Sequence, residues 1–411
     1  MKAIIISIGN ELLNGRTMNS NATFIGSKLY EIGISTQMVI TIRDEAQSIS
    51  DNLQRALQES DLVFLTGGLG PTHDDITKKV VTEFFDARLI YDELIVRRIE
   101  EKFRERGLKM PEVNREQGYV PDKATIIPNA LGTAPGLHFE KSGKHVFVMP
   151  GVPREMKSMM TETIIPKLHN EFLRETIEVH AYRTTRIAES RIYELCEQFL
   201  QRFPDYEIAF LPKFIGVDIR VAIKPVAKDA EMLAEFEKGL YQRIGKYIYT
   251  EGDRTLAAVV GDLLSEKDLT VSVAESCTGG LVQHQITRVA GSSAYFLGGM
   301  VTYSNQSKIK FLGVEKALLE KHGAVSEAVA KEMAAGVRKA FAADVALSTT
   351  GIAGPGGGTA EKPVGLVYIG LATAEKVIAK KFNLGKDRAI NKEQGAQFAL
   401  DILRRELMAK T

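Results

Sequence analysis

The chain has 411 residues, 53 Lys+Arg against 52 Asp+Glu, 44% hydrophobic and 26% charged residues, and only two cysteines, Cys196 and Cys277. Such a length exceeds one ordinary hydrophobic core, so two or three domains are expected. Balanced charge argues against nucleic acid or an anionic membrane as a main partner, two distant cysteines argue against a disulfide framework or zinc ribbon, and no apolar run is long enough to span a bilayer; a cytoplasmic enzyme acting on small soluble ligands is expected.

The first segment, residues 1–167, alternates apolar runs with amphipathic stretches. Strands are expected at Ala3–Ile8, Gln37–Ile42, Leu62–Leu65 and Lys144–Met149, with helices at Asn21–Ile32, Ser48–Glu59 and from Arg154. This alternation predicts an α/β domain with a largely parallel, doubly wound sheet. Ligands bind such sheets at the carboxyl ends of the strands. Turns rich in glycine stand there: Gly9-Asn10-Glu11, then Gly67-Gly68-Leu69-Gly70 running into Asp74-Asp75, then Gly132-Thr133-Ala134-Pro135-Gly136, then Pro150-Gly151 ahead of Glu155. Asn10, Gly67, Gly68, Gly70, Gly132, Thr133, Gly136, Pro150 and Gly151 are candidate nucleotide-binding positions, because backbone amides without Cβ atoms in the way can wrap a phosphate. Asp74, Asp75, Glu11 and Glu155 are candidate ligands of a divalent cation. Asp74-Asp75 would serve equally as a helix cap.

The second segment, residues 168–250, predicts strands at Ile177–Thr184, Glu207–Leu211, Val217–Ile223 and Tyr247–Tyr249, with helices at Ser190–Arg202 and Ala230–Arg243. Two helices on a small mixed sheet suggest an α+β module of ferredoxin or KH type. It has no GxxG clamp loop, which weakens an RNA-binding reading in favour of a spacer or dimerising module.

The third segment, residues 251–411, is again α/β. Expected strands are Thr270–Ala274, Gly298–Thr302, Val345–Thr349, Val364–Thr373 and Lys380–Asn383; expected helices are Thr255–Glu266, Gly279–Val289, Ser326–Phe341 and Asn391–Met408. Within it, Glu275-Ser276-Cys277-Thr278-Gly279-Gly280 places a hydroxyl where a buried strand gives way to a helix. That position suits a nucleophile, an oxyanion hole or a phosphate, and suits a mere helix cap as well. Tyr303-Ser304-Asn305 is followed by Lys308, which becomes a general base toward a serine only if it is enclosed. Thr350-Gly351-Ile352-Ala353-Gly354 opens a loop of several glycines that lacks the Lys-Ser/Thr ending of an ATPase loop. Ser292-Ser293 adds hydroxyls, and Arg388 offers a guanidinium for a phosphate or carboxylate.

In order along the chain stand Glu-Ser-Cys-Thr-Gly-Gly, Ala-Gly-Ser-Ser-Ala-Tyr-Phe, Val-Thr-Tyr-Ser-Asn-x-x-Lys, Gly-Ala-Val-Ser, Thr-Gly-Ile-Ala-Gly-Pro-x-Gly-Gly and Lys-Pro-Val-Gly. Together they resemble the C-terminal domain of the CinA family, and the N-terminal turns resemble the molybdopterin-binding fold of the MogA and MoaB type found at the start of that family. The resemblance implies a metal-free serine/lysine amidohydrolase that converts nicotinamide mononucleotide to the acid and ammonia. By it, Lys308 is the general base, Tyr303 its neighbour, and Ser276 or Ser293 the nucleophile, with Ser276 favoured by its place between strand and helix. Thr278, Gly279, Gly280, Asn305, Thr350, Gly351, Gly354 and Arg388 are expected to hold the substrate. Glu275 is a candidate to balance the pyridinium charge, or else forms a strand-end salt bridge. Lys392 stands where some relatives carry arginine.

For the first domain the resemblance implies a metal-dependent ADP-ribose pyrophosphatase, and for the whole chain a homodimer, with the middle module as candidate interface. Thr185-Arg186-Ile187-Ala188-Glu189-Ser190 departs from the Gly-Ile-Gly-Glu-Ser of relatives. Two alternatives remain: a deamidase whose first domain binds nucleotide or pterin without turnover, and a non-catalytic partner protein tied to DNA uptake or damage.

Overall fold

The computed structural model describes residues 1–71, 75–172, 177–224 and 229–409. They form two compact units, Met1–Glu178 and Val179–Thr411.

In the first unit the strands are β1 (Lys2–Ile8), β2 (Ser35–Ile42), β3 (Leu62–Thr66), β4 (Leu89–Tyr91), β5 (Tyr119–Pro121), β6 (Thr125–Ile127), β7 (Gly136–Lys141) and β8 (Lys144–Met149). Among the described residues, six of them form one sheet in the order β2-β1-β3-β8-β7-β6. Residues of β1 alternate between two cores. Ile4, Ile6 and Ile8 face Val63, Leu65 and the helix Ala46–Glu59, while Ala3 and Ile5 face Phe64, Phe147 and the helix Ser20–Glu31. Both faces are therefore covered, which is why the strand reads as an unbroken apolar run rather than an alternating one. The four strands β2, β1, β3 and β8 pair parallel, but β7 and β6 join antiparallel. The sheet is thus mixed, with an antiparallel edge that the apolar pattern did not announce.

The second unit begins with β9 (Glu178–Thr184), β10 (Tyr206–Lys213), β11 (Gly216–Ile223) and β12 (Ile248–Glu251), in the order β10-β11-β9-β12, with helices Glu189–Leu200 and Ala230–Ile244. Tyr182, Phe199, Phe203, Tyr206 and Phe236 fill the small core between sheet and helices. The larger domain follows with β13 (Val271–Glu275), β14 (Phe296–Val301), β15 (Val345–Gly351), β16 (Leu366–Ala372) and β17 (Val377–Asn383), in the order β14-β13-β15-β16-β17. The first three pair parallel and the last two antiparallel. One face carries Val271, Val273, Leu347, Ile369 and Leu371 against the helices Leu256–Glu266 and Arg388–Met408. The other carries small residues, Ala274, Ala346 and Ala372, against the helix Glu327–Phe341. Gly370 lies so close to that helix that a Cβ there would stand 2.4 Å from the Ala330 carbonyl oxygen. Ser348 Oγ donates to the same carbonyl.

A charged knot ties the small module to the helix Arg388–Met408. Asp401 is fully buried and accepts from Arg404 (2.9 Å), Arg405 (2.7 Å) and Arg186 (3.3 Å). Arg404 in turn donates to the carbonyls of Lys246 and Ile248. Arg186 holds φ +61°, the left-handed region where glycine is at ease, and its guanidinium lies 4.9 Å from the Phe382 ring centre. The departure from the glycine-bearing loop of relatives is therefore a docking contact within this unit. No helix among the described residues is long and apolar enough to cross a membrane.

Candidate active site

β13 and its parallel neighbours β14 and β15 all end at one sheet edge. Ser276 is the first residue beyond β13, pinned there by its amide, which donates to the Thr349 carbonyl at the end of β15 (2.9 Å). Gly279 and Gly280 then take φ +65° and +98° to turn the chain into the helix Leu281–Thr287. Both left-handed positions explain the glycine pair without any ligand. Thr278 is buried and shares a 2.6 Å hydroxyl hydrogen bond with Thr349.

Lys308 comes to the same edge from another segment. Ser304 caps the helix Asn305–Leu312 through the Ser307 amide, and Lys308, one turn in, points back under the sheet edge. Only 1% of it is exposed. Its Nζ lies 3.1 Å from Ser276 Oγ, 2.8 Å from the Thr302 carbonyl oxygen and 3.2 Å from that of Tyr303. Burial lowers the Lys308 pKa from the ordinary lysine range, since an ammonium out of water loses more hydration than an amine does. An amine so placed can take the serine proton. Cys277, next in the chain, behaves in the opposite way. Burial pushes its thiol up to about 12, which leaves it protonated at neutral pH and poor as a nucleophile.

Ser276, Lys308, Tyr303, Thr350, Gly351, Gly354 and Arg388 line one cleft of about 280 Å³. Thr350 Oγ1 donates to the Ala324 carbonyl on the far wall (2.8 Å). Arg388 bridges the rim by donating to the Gly354 carbonyl (2.8 Å) and to the Tyr303 hydroxyl (3.1 Å). Beyond it a second hollow of about 540 Å³ shares Arg388 and adds Lys392. The glycine loop is held by a residue that the sequence did not single out: buried Asn391 donates to the Ala353 and Gly385 carbonyls, both at 2.9 Å.

Several expectations are corrected: Thr278, Gly279 and Gly280 shape the turn but do not line the cleft. Ser293 sits in the short 3-10 turn Ser292–Ala294 that precedes β14, and parallel pairing puts what precedes β14 at the opposite sheet edge from Lys308. It is exposed and outside the cleft. Glu275 lies outside the lining of the cleft and, among the described residues, forms no salt bridge. It is fully buried, and its two oxygens accept the amides of Gly280, Val282 and Gln283 at the start of the next helix, where a carboxylate meets the positive helix end. Asn305, exposed at the first position of its helix, does not line the cleft.

The N-terminal turns also gather at one edge. Gly67 (φ +120°) passes so close to β1 that a Cβ would stand 2.2 Å from the Ile8 carbonyl oxygen, and Gly151 lies against Gly67. Asn21, also not singled out, ties these turns together by donating to Thr66 Oγ1 (2.9 Å) and the Gly151 carbonyl (2.8 Å), while Thr66 Oγ1 donates to the Pro150 carbonyl. Asn10 and Glu11 are exposed on the short helix Asn10–Leu13 after β1. Gly68 abuts Thr77 and Gly70 abuts Asp75. Gly132 and Thr133 line a cavity of about 410 Å³ with Lys102, whose Nζ donates to the Gly132 carbonyl (2.8 Å) and whose pKa is lowered by burial. Gly136 is buried against Met159, a packing role rather than a ligand contact. Asp74 lies outside the described residues. Among those described, no three His, Cys, Asp or Glu side chains gather closely enough to hold a metal. Glu155 instead accepts from Asn129 (2.7 Å). Glu11, Asp75 and Glu155 stand on three different turns, and the expected fourth acid, Asp74, lies outside the described residues.

These features define a chain of two α/β domains around a small α+β module, with a buried serine–lysine pair in the last. Residues 4–170 match the family described as "Probable molybdopterin binding domain", residues 180–250 the "Damage-inducible protein CinA KH domain", and residues 253–407 the "CinA C-terminal domain". A CinA-like protein of Chloroherpeton thalassium is 44% identical over all of both chains, and one of Chlorobaculum tepidum is 44% identical over 97% of each. The solved structure of a competence/damage inducible protein from Agrobacterium tumefaciens is 41% identical, covers 37% of this chain and 93% of its own, and has a TM-score of 0.36. The chain belongs to the CinA family.

Proposed function

We propose that the C-terminal domain is an amidohydrolase acting on nicotinamide mononucleotide, giving nicotinic acid mononucleotide and ammonia. The observation that carries this is the 3.1 Å approach of the enclosed Lys308 Nζ to Ser276 Oγ. Neutral Lys308 takes the Ser276 proton as Oγ attacks the carboxamide carbon. The tetrahedral oxyanion faces the backbone of the glycine loop, Ile352 to Gly357, on the cleft wall. Protonated Lys308 then gives its proton to the departing nitrogen, so ammonia leaves and an ester on Ser276 remains. Water, deprotonated by the same amine, cleaves that ester and releases the acid. The Thr302 and Tyr303 carbonyls aim the amine and stabilise its charged form between the two transfers. Arg388 and Lys392 supply cations for the substrate phosphate in the adjoining hollow.

The test is ammonia release from nicotinamide mononucleotide by the intact chain in excess chelator, beside Lys308→Ala. Activity that persists in chelator and vanishes in the variant is expected. No ammonia from the intact chain removes the proposal.

For the N-terminal domain the favoured reading is capture of a phosphate-bearing nucleotide such as ADP-ribose on the glycine turns. The close backbone approach of Gly67 to Ile8 and of Gly151 to Gly67 supports binding, with metal-dependent cleavage of ADP-ribose as the second reading. Adenosine monophosphate formed from ADP-ribose with added magnesium or manganese would overturn that preference.

A further inference from the structure

Inside the unit Val179–Thr411, between the small module and the larger domain, lies a further cavity of about 270 Å³. It shares no lining residue with the Ser276 cleft, and nothing argued for it depends on the deamidase chemistry.

Its polar lining is cationic and rich in donors. Arg183 comes from β9, Lys213 from the end of β10, and Arg288 from just after the helix Leu281–Thr287. The only acid in the lining is Asp218, which pairs with Lys213 and stands 3.9 Å from Arg183 Nε. Arg183 is also held from outside by Asp253 at 2.6 Å. Arg288 is exposed, and among the described residues no ion pair is formed by it. One wall is the start of the 11-residue helix Leu256–Glu266. Thr255 caps that helix through the Ala258 amide, which leaves the first-turn amides of Leu256 and Ala257 as the positive end of the helix.

A second, independent observation points to a ligand. Gln397, 5% exposed and in the lining, has an amide nitrogen with no hydrogen-bond partner among the described residues. A buried donor left unpaired is costly, so this amide in the lining asks for an acceptor. The remaining wall is apolar, with Ile215 and Val289. An anion with several acceptor oxygens on a compact, uncharged body matches this arrangement.

We infer that this seam binds a small phosphate monoester, its phosphate set against Arg183, Lys213, Arg288 and the helix start, and its sugar-sized body against Ile215 and Val289. The volume suits a sugar phosphate better than a polymer, and the module has no GxxG loop with which to clamp a nucleic-acid backbone.

Two measurements on the full chain test this. Crystals soaked in sodium tungstate, a phosphate analogue, should show an anomalous peak beside Arg183 and Arg288 that excess ribose 5-phosphate displaces. A peak that ribose 5-phosphate leaves in place would mark an adventitious ion only and overturn the inference, as would no peak at the seam. In solution, calorimetric titration with ribose 5-phosphate should show a binding event weakened roughly tenfold in Arg288→Ala, the loss expected for a charge-assisted contact. Lys213→Ala should act in the same direction. Equal binding by the intact chain and both variants, at unchanged thermal midpoints, contradicts the assignment.

Discussion

In the C-terminal domain the turn after β13 delivers Ser276 to a lysine that is 1% exposed, whereas in the N-terminal domain the turn after β3 delivers glycines to the backbone and leaves the acids on separate loops. Both turns leave a parallel strand at its carboxyl end, and both use left-handed glycines to do so. Identical local devices thus position backbone in either place. What sets the C-terminal edge apart is a reactive side chain arriving from a distant segment and being enclosed there. Lys308 does so from a helix that begins only after β14. At the N-terminal edge the corresponding traveller is Asn21, an uncharged clamp.

The comparison breaks most visibly if the lysine is removed. Lys308→Met keeps the buried apolar stem and deletes the base; ammonia release should fall by about 10²–10⁴-fold, the range for a positioned proton carrier, with little change in the thermal midpoint. Gly67→Ala tests the claim that the N-terminal turn is a backbone device. A Cβ at φ +120° against the Ile8 carbonyl should cost about 1–3 kcal/mol, read as a lower urea midpoint at constant slope. Arg388→Ala should raise KM for the mononucleotide roughly tenfold while kcat falls less, because the guanidinium holds the rim and a phosphate rather than the reacting carbon. The pH profile sharpens the lysine assignment. The working form is the neutral amine and the folded pKa is lowered, so kcat/KM should rise with pH and level off below the ordinary lysine value of about 10.4. The linked stability has the same sign. An unfolded chain binds a proton that folded Lys308 gives up, so stability is reduced at low pH and regained as pH climbs from the folded pKa toward about 10.4. Lys308→Met should abolish both slopes.

Much of this was legible in the residues. The unbroken apolar run of β1 marks a strand covered on both faces, and Glu-Ser-Cys-Thr-Gly-Gly marks a strand-to-helix turn. The antiparallel direction of the edges was not legible: Lys380–Asn383 reads as a strand without showing which way it pairs, and β6 and β7 were not read as strands, β6 being only three residues long. Between Ser276 and Ser293, sequence reasoning favoured Ser276 for its place between strand and helix and kept Ser293 as the rival. Both lie in short polar stretches beside a strand, and only the parallel direction of β14 sends them to opposite edges. Glu275 misled for a related reason. A carboxylate beside the nucleophile suggests charge balance for a cationic substrate, yet one strand residue earlier means the side chain turns under the next helix and is consumed by three amides. Asn391 and Lys102 gave no signal, since a lone polar residue on a helix says nothing about which loop carbonyls it will meet. Arg186 could be read only as a departure from relatives until its contact with Asp401 showed what it touches.

The most direct test of the account is to measure ammonia release from nicotinamide mononucleotide by Ser276→Ala and Ser293→Ala side by side with the intact chain. Ser276→Ala should sit at background, and Ser293→Ala within about twofold of the intact chain, as expected of an exposed residue remote from the cleft. Full activity in Ser276→Ala, or its loss in a folded Ser293→Ala, would contradict the serine–lysine pair at its root.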